Sequence, residues 1–379
     1  MRFHLFFSFF PFVILLVAVM TWLRPLRLGR TAFAIWLLAL GAASAKFVCF
    51  WLAGGAPFAP ELPERLIWAW NWAYSGFLIL AALGTIDWLS RLFLGLRPDG
   101  MRSVRLVGLP LLSWGLAAWG VWNGLAVPRV RAFEIGYADL PEELDGYRLV
   151  QISDLHASAA AEGWRTRAVV ERVNALEADL VCITGDSVDG TAERSGRLAA
   201  IADLRAKDGV YAVTGNHEFY WDWPGWSSRH AAWNIRFLRN ECVFPRPSLA
   251  LGGVNDPACA LFDFDDEPWP DVEAAFAGAT NGEFRVLLEH RPGNARQNFA
   301  NGRVNLQLSG HAHGGVMPIL SSLVAWHNDG FVRGAYPMSR KDAWLHVSPG
   351  TGQWAGFPVR FFNPSEITLI TLRKVGDRR

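Results

Sequence analysis

The sequence has few charged residues and few cysteines for its length. Only 19% of the 379 residues are charged, and the four cysteines, at positions 49, 182, 242 and 259, show no CxxC spacing. These absences exclude a zinc knuckle and the cysteine-rich framework of a small disulfide-stabilised domain. The formal net charge is +1, and no lysine and arginine stripe with interleaved aromatics occurs in the polar part of the chain. A nucleic-acid partner is therefore not expected.

Apolar residues are concentrated in the first third of the chain. Four segments there are long and apolar enough to cross a bilayer, and the predicted spans cover 5–23, 31–52, 67–88 and 107–127. A cleaved signal peptide is a weaker reading of the first segment, because no A-x-A cleavage site follows it. We expect a transmembrane region of about four spans over residues 1–130 and a polar domain over residues 131–379.

Arginines in the short loops predict how these spans are oriented, because positively charged loops stay in the cytoplasm. The first and third loops are the arginine-rich ones, with Arg24, Arg27, Arg30, Arg97, Arg102 and Arg105. Both ends of the chain are then expected outside, which makes this a multi-pass protein of the cytoplasmic membrane with an extracytoplasmic polar domain. Lys46 and Asp87 are expected to snorkel to the interface.

That location leaves two states open for Cys242 and Cys259. They could form a disulfide outside the cytoplasm, although a lone cysteine is more often a small buried apolar residue. The sequence does not decide between the two states.

The polar domain alternates short apolar strands with helical stretches, which predicts an α/β fold. Strands are expected over 148–152, 179–183, 209–213, 284–288 and 304–308, and helices over 168–176 and 198–205. The strands run into the motifs SDLH, TGD, TGNHE, EHRP and SGHAHGG. Because ligand groups gather beyond the carboxyl ends of strands in α/β sheets, we expect the polar residues of these motifs to converge.

The residue types in these motifs suit a pair of divalent metal ions. Carboxylate oxygens, imidazole nitrogens and an amide oxygen are ligands for Mn, Fe or Zn, and they do not choose among the three. Two neighbouring cations repel each other, so a carboxylate should bridge them, and Asp186 is the natural candidate. The other histidines, His4, His230, His327 and His346, are expected to be structural. The predicted ligands are Asp154, His156, Asp186, Asn216, His290, His311 and His313.

The ordered motifs DLH, GD, GNHE, H and GHAH strongly resemble those of the calcineurin-like metallophosphoesterase superfamily. VQISDLH and LQLSGHAHGG further resemble its bacterial membrane-associated branch, typified by YkuE and YaeI. The resemblance implies a sandwich of two mixed β-sheets flanked by helices, and the apolar segments predict a four-helix transmembrane region before it. It also implies one metal held by Asp154, His156, Asp186 and His313, and a second held by Asp186, Asn216, His290 and His311.

The resemblance further implies phosphoester hydrolysis, of a monoester or a diester. Hydroxide bridging the metals would attack phosphorus, and His217, oriented by Glu218, would protonate the leaving oxygen. Glu218 stands where the family more often has aspartate. Ala312 and Val316 replace the threonine and glutamine common in this branch, which bears on substrate preference more than on catalysis.

The tryptophan-rich stretch after the GNHE motif has two interpretations. It could form an apolar wall or membrane contact for a lipid phosphoester, or a small hydrophobic core; its residues are Trp221, Trp223, Trp226 and Trp233. Two other function classes also stay open. One is a metal-binding regulatory membrane protein without turnover, and the other is an accessory domain of a small transporter.

Overall fold

The structure is a computed structural model of the chain. It describes residues 2–376 except 54–55, 57–58, 96–100, 263, 265, 281, 301–303, 316–317 and 339–341, and the side chains of 2–7 and 318–320 are also outside the description. Arg97, Val316 and the side chain of His4 therefore lie outside the described residues. The chain forms two compact units. Unit 1 comprises Met1–Leu125 with Ala355–Val359, and unit 2 comprises Ala126–Trp354 with Arg360–Arg379.

Unit 1 is helical. The α-helices are α1 (Arg2–Ala18), α2 (Arg30–Ser44), α3 (Lys46–Leu52), α4 (Glu64–Leu94) and α5 (Leu109–Leu125). A π-helical turn, Val19–Leu23, and a 3-10 turn, Arg24–Leu26, extend α1, and a π-helical turn, Val104–Gly108, precedes α5.

Three stretches of unit 1 are long and apolar enough to cross a membrane. They are Ser8–Leu26, Glu64–Leu94 and Val104–Leu125. The predicted second span instead consists of α2 and α3, which are bent by 55° with respect to each other. The described helices thus supply three spans, or four if the bent pair crosses as one.

Lys46 lies at the start of α3 and is wholly buried. Its Nζ donates to Asn71 Oδ1 at 2.9 Å and to the Gly356 carbonyl oxygen at 2.6 Å. The predicted snorkelling of Lys46 is wrong, because these polar partners let the ammonium group stay inside the unit. Asp87 instead pairs with Arg91 at 2.9 Å and with Arg105 at 3.0 Å.

Unit 2 contains two six-stranded mixed sheets. The first has the order β1-β12-β2-β3-β4-β5, and only the pair β12 and β2 is antiparallel. Its strands are β1 (Arg129–Tyr137), β2 (Arg148–Ile152), β3 (Leu180–Thr184), β4 (Val210–Val213), β5 (Arg236–Phe237) and β12 (Glu366–Lys374). The second has the order β10-β11-β9-β8-β7-β6, with antiparallel pairs at its two edges. Its strands are β6 (Glu241–Arg246), β7 (Leu249–Gly253), β8 (Phe284–Leu288), β9 (Leu306–Ser309), β10 (Gly334–Pro337) and β11 (Trp344–Val347).

The helices of unit 2 lie along the chain between these strands. They are α6 (Trp164–Asn174), α7 (Asn216–Trp221), α8 (Trp223–Ala232), α9 (Val272–Ala275), α10 (Ala295–Ala300) and α11 (Pro318–His327). The predicted helix over 198–205 is a 3-10 turn, Ala199–Asp203. The two-sheet α/β architecture with flanking helices is the predicted one.

Side-chain alternation along the strands explains how the sheets pack. Leu149 and Leu180 of the first sheet meet Leu251, Val286 and other residues of the second in one buried cluster. The alternate residues of the first sheet, such as Val150, pack on α6, and those of the second, such as Leu287, pack on α10. Each sheet therefore buries both faces, which is why its strands read as continuous apolar runs.

The four cysteines are free thiols. Cys182 lies in the core between the sheets, and Cys259 is buried in a separate apolar cluster. Cys242 and Cys259 do not form a disulfide, and burial raises the pKa of the Cys242 thiol to about 11.

Candidate metal centre

The polar motifs follow five parallel strands at their carboxyl ends. Asp154 and His156 follow β2, Asp186 follows β3, and Asn216 begins the helix after β4. His290 follows β8, and His311 and His313 follow β9. Because these strands run in the same direction within each sheet, their ends bring the side chains to one edge of the sandwich.

The turns that carry these side chains have unusual backbone conformations. Five of the seven predicted ligands have positive φ angles between 46° and 67°: Asp154, His156, Asp186, His311 and His313. Residues other than glycine rarely adopt this left-handed region, and when they do, they cluster at functional sites. The strained backbone at these five positions directs the side chains inward.

One group of ligand atoms is formed by Asp154, His156 and His313. The Nε2 atoms of the two histidines are 3.1 Å apart, and His313 Nε2 lies 3.3 Å from Asp154 Oδ1. His156 Nδ1 faces Asp189 Oδ1 at 3.2 Å. If Nδ1 carries the proton of that hydrogen bond, the Nε2 lone pair points into the group.

A second group is formed by Asp186, His290 and His311. Asp186 Oδ2 lies 3.2 Å from His290 Nε2 and 3.8 Å from His156 Nε2, so one carboxylate oxygen faces both groups. His311 Nδ1 lies 3.3 Å from His290 Nε2. His290 Nδ1 donates to the Thr184 carbonyl oxygen at 2.8 Å, which leaves its Nε2 as the free acceptor.

Asn216 has a side-chain oxygen that accepts no hydrogen bond from the described residues. Its Oδ1 is buried and has no hydrogen-bond partner among the described residues. A buried polar atom without a partner costs free energy unless something unseen satisfies it. Together with buried carboxylates and imidazoles that face one another without intervening side chains, this atom fits a site for two divalent cations.

The ionisation of the cluster follows from its burial. Burial alone would raise the pKa of Asp186, but His290 and His217 outweigh it and hold this pKa well below its usual range. Burial lowers the pKa of His290, but Asp186 more than offsets this and raises it to about 10. Burial holds the pKa of His311 and His313 well below the usual range. The carboxylates attract positive charge, and metal ions can supply it in place of protons.

His217 stands next to the cluster, and its carboxylate partner is Asp189. His217 Nδ1 lies 2.5 Å from Asp189 Oδ1. Burial lowers the pKa of His217, but Asp186 and Asp189 more than offset this and raise it to about 9. The imidazole is therefore protonated at neutral pH, as a proton donor must be.

Glu218 does not bind the imidazole of His217 in the described hydrogen bonds, so the prediction that it orients this residue is wrong. Its carboxylate accepts backbone N–H groups of Asp186 at 3.0 Å, Ser187 at 2.7 Å and Gly215 at 2.7 Å. Glu218 thus holds together the two turns that carry Asp186 and Asn216. Sequence reasoning missed Asp189, although it lies only three residues after Asp186 in the motif GDSVD.

Gly185 occupies a position where a larger residue would displace His290. It has φ of +83°, and a Cβ placed there would lie 2.5 Å from His290 Nδ1. The close approach of the β3 turn to His290 therefore requires glycine.

The tryptophans after the GNHE motif lie in two environments. Trp223 and Trp226 are buried, with 3% and 1% of their surface exposed, and their Nε1 atoms donate to Glu267 Oε1 and to the Gly190 carbonyl oxygen. For these two, the core interpretation is correct and the apolar-wall interpretation is wrong. Trp221 and Trp233 are half-buried.

His230 and His346 occupy buried structural positions outside the cluster, as predicted. His230 Nδ1 donates to the Trp226 carbonyl oxygen at 2.8 Å, and His346 Nδ1 faces Gln151 Oε1 at 2.6 Å. Burial lowers the pKa of His230 to about 4 and that of His346 to about 3. Both are therefore neutral near pH 7.

Residues 147–315 match the family described as Calcineurin-like phosphoesterase. The chain is similar to an uncharacterized metallophosphoesterase of Helicobacter pylori, with 30% identity over 285 residues that cover 74% of this chain and 73% of that protein. It is also similar to the uncharacterized metallophosphoesterase YkuE of Bacillus subtilis, with 29% identity over 243 residues, 62% of this chain and 82% of YkuE. The UDP-2,3-diacylglucosamine pyrophosphatase LpxG of Chlamydia trachomatis is 26% identical over 323 residues, 70% of this chain and 94% of LpxG.

Proposed function

This chain belongs to the calcineurin-like phosphoesterase family, in the bacterial YkuE-like branch that its motifs predicted, and from that membership we propose that it is a membrane-anchored phosphoester hydrolase that uses two divalent metal ions. One observation carries the proposal. Asp186 Oδ2 lies between two groups of buried ligand atoms, at 3.2 Å from His290 Nε2 and 3.8 Å from His156 Nε2. A carboxylate in that position suits a bridging ligand.

The proposed ligands divide into two sets that share Asp186. Asp154, His156 and His313 complete one set, and Asn216, His290 and His311 complete the other. When bound, two divalent ions supply positive charge that lowers the pKa of an attacking water and neutralises phosphate oxygens. Mn, Fe and Zn all suit these ligands.

Proton transfer in the proposed reaction is assigned to His217. Its imidazole is held by Asp189 and borders both Asp186 and His156. A protonated imidazole beside the phosphorus can donate its Nε2 proton to the leaving oxygen, so that the leaving group departs as an alcohol. Asp189 fixes the tautomer and stabilises the cation that is to donate the proton.

The test is a metal-loaded activity screen of the full chain in detergent with p-nitrophenyl phosphate and bis-p-nitrophenyl phosphate. We expect hydrolysis that depends on added Mn²⁺ and stops on chelation. The matched control is the Asp186→Asn protein, which removes the shared carboxylate charge without changing side-chain size. Metal bound without turnover would instead favour the regulatory alternative, and a chain with neither would favour the accessory role beside a transporter.

We further propose that the natural substrate is a lipid phosphoester. The similar protein LpxG is described as acting on UDP-2,3-diacylglucosamine, which carries acyl chains, and this chain has its own apolar helices. If the substrate is a lipid, the membrane segments would have a role in substrate access as well as in anchoring the protein. Hydrolysis of short-chain lipid phosphoesters, compared with p-nitrophenyl phosphate, measures this preference.

The proposed location is the cytoplasmic membrane with unit 2 on its outer side. The arginines of the first and third loops lie on the same side only if α2 and α3 together cross the membrane once. A re-entrant α2–α3 pair would leave three crossings and put unit 2 inside. A C-terminal fusion decides the side: alkaline phosphatase is active outside, whereas green fluorescent protein is fluorescent inside.

A further inference from the structure

Three exposed apolar side chains form what we call the rim face: Tyr220, Leu261 and Phe262. Their exposed fractions are 41%, 73% and 44%. The ring centroid of Tyr220 lies 5.0 Å from that of His217 on one side and 5.0 Å from that of Phe262 on the other. The rim face therefore begins at the proposed acid and leads away from it.

The rim face rests on a buried apolar cluster. Tyr220 lies on α7, and Leu261 and Phe262 end the 3-10 helix Pro257–Phe262. The inward side chains of these two helices, Phe219 and Ala258 among them, form a buried cluster. Phe219 thus belongs to the buried cluster, whereas the neighbouring Tyr220 faces outward beside His217.

A cation lies at the same border of the site. Arg291 directly follows the proposed ligand His290, and it binds the buried Asp256 with both Nε and Nη2, at 2.7 Å and 2.8 Å. Asp256 also accepts the Ala258 N–H at 2.8 Å, so one carboxylate fixes both Arg291 and the start of the helix that carries Phe262.

Apolar side chains and a fixed cation at the same border of a metal centre fit an amphiphile. We propose that the rim face binds the hydrocarbon chain of an amphiphilic phosphodiester, while Arg291 attracts its anionic phosphate towards the metals. This inference rests on the proposed function, because it assigns the substrate class to the same site. As in the proposed reaction, water breaks the ester bond between phosphorus and the leaving group. The hydrocarbon chain remains esterified to the phosphate monoester that is the second product.

The experiment compares two chromogenic diesters that differ only in chain length, p-nitrophenyl methyl phosphate and p-nitrophenyl hexyl phosphate. Both are used below the concentration at which they form micelles, and the detergent concentration is the same for every protein, so that partition into detergent affects the wild type and the variants equally. The full chain is loaded with Mn²⁺ and kcat/KM is measured for each ester. We expect the hexyl ester to be preferred by roughly tenfold, because burying about two of its methylene groups strengthens binding by that order.

Phe262→Ser tests the rim face directly. It should remove most of the hexyl preference and leave kcat/KM for the methyl ester within about twofold, because Phe262 contacts Tyr220, which is not one of the proposed ligands. The matched control is Phe244→Ser, which changes an aromatic residue of similar exposure, 45%, on β6 of the second sheet. Arg291→Lys should raise KM for both esters, since it keeps the charge but loses the two-point contact with Asp256.

The outcomes separate this inference from the proposed function. Wild-type protein that hydrolyses neither ester but still hydrolyses p-nitrophenyl phosphate overturns the inference alone. Protein that is inactive on all three substrates overturns the proposed function, and with it the inference. Hydrolysis of both esters at equal kcat/KM, or an equal loss for both in Phe262→Ser, overturns the inference alone. Loss of the hexyl preference in the Phe244→Ser control would also overturn it, because the chain would then bind elsewhere.

Discussion

The carboxylate of Asp189 joins His217 to His156. Its Oδ1 lies 2.5 Å from His217 Nδ1 and 3.2 Å from His156 Nδ1, and the two imidazole rings meet edge to face with centroids 4.5 Å apart. One buried anion therefore orients both the proposed proton donor and a proposed metal ligand. Asp189 is not one of the proposed ligands and acts through His217 and His156, so we treat it as a positioning residue.

Asp189→Asn should move the basic limb of the pH–rate profile to lower pH. Asp186 and Asp189 raise the pKa of His217 to about 9 against the effect of burial, and a proton donor loses activity as pH rises through its pKa. Removing one of the two charges lowers that pKa, so activity is lost at a lower pH. The measurement is kcat from pH 5 to 10.

The control for that variant is Asp139→Asn, which changes an exposed carboxylate. Its profile should match that of the wild type. An Asp189→Asn protein with an unshifted basic limb would show that another group donates the proton.

His217→Ala should retain its metals while losing activity. His217 lies beside the two ligand groups, and its loss removes proton donation worth about 10² to 10⁴ in rate. Metal content by mass spectrometry should stay near that of the His327→Ala control, in which an exposed histidine is removed. If metal content and activity fall in the same proportion, His217 is a ligand instead.

Asp186→Asn should lose more metal than any other single ligand variant. Its Oδ2 faces both ligand groups, whereas His313 faces only one, so His313→Ala should retain about half of the bound metal. Metal binding should also stabilise the wild-type fold, by about 2.7 kcal/mol at a hundredfold excess over Kd. Thermal unfolding with and without Mn²⁺ measures this difference, and an Asp186→Asn protein with full metal content would contradict the shared role.

Gly185→Ala should disturb His290 without removing any ligand. The added Cβ would meet His290 Nδ1 at 2.5 Å in a left-handed backbone that alanine disfavours. We expect loss of about half of the metal and at least tenfold lower activity. Gly196→Ala is the matched control, because nothing lies within 4 Å of its Cβ.

His230 should make the fold sensitive to acid. Burial lowers its pKa to about 4, below its ordinary value of 6.5, so the unfolded chain takes up the proton first. The folded state is therefore favoured above about pH 6.5 and loses this advantage as pH falls towards 4, by up to about 1.4 kcal/mol for each unit of pKa difference. His230→Gln, which cannot titrate, should show a smaller fall in Tm between pH 7 and pH 5 than the wild type; an equal fall would assign the sensitivity to other groups.

The strands and the converging ligands were predictable because the local signals are strong. Each strand that supplies a ligand is a short apolar run followed at once by Asp, His or Asn, and Phe284–Leu288 begins and ends where it was predicted. Strand ends within one parallel sheet lie together, so the strand pattern predicted the convergence of Asp154, after β2, with Asp186, after the neighbouring β3. That these residues bind metal stays a prediction.

Other features depend on contacts between distant parts of the chain, which periodicity does not reveal. Glu218 follows His217 directly, yet the helix turn points its carboxylate at backbone N–H groups, and Asp189 takes the place beside the imidazole. The segment Ala355–Val359 belongs to the helical unit although it lies far along the polar part of the chain. The prediction that Lys46 snorkels to an interface failed because its hydrogen-bond partners, Asn71 and Gly356, come 25 and 310 residues later in the chain.

A left-handed backbone conformation occurs at five of the proposed ligands: Asp154, His156, Asp186, His311 and His313. The side chains that would bind metal therefore stand in conformations that favour glycine. Glycine would adopt each of these conformations without strain, but it would bring no donor atom. Substitutions that relax the chain at this edge of the sandwich would therefore erase its chemistry, so a search for more stable variants would favour inactive ones. The protein can keep the proposed ligands only if it tolerates a strained backbone at these five positions.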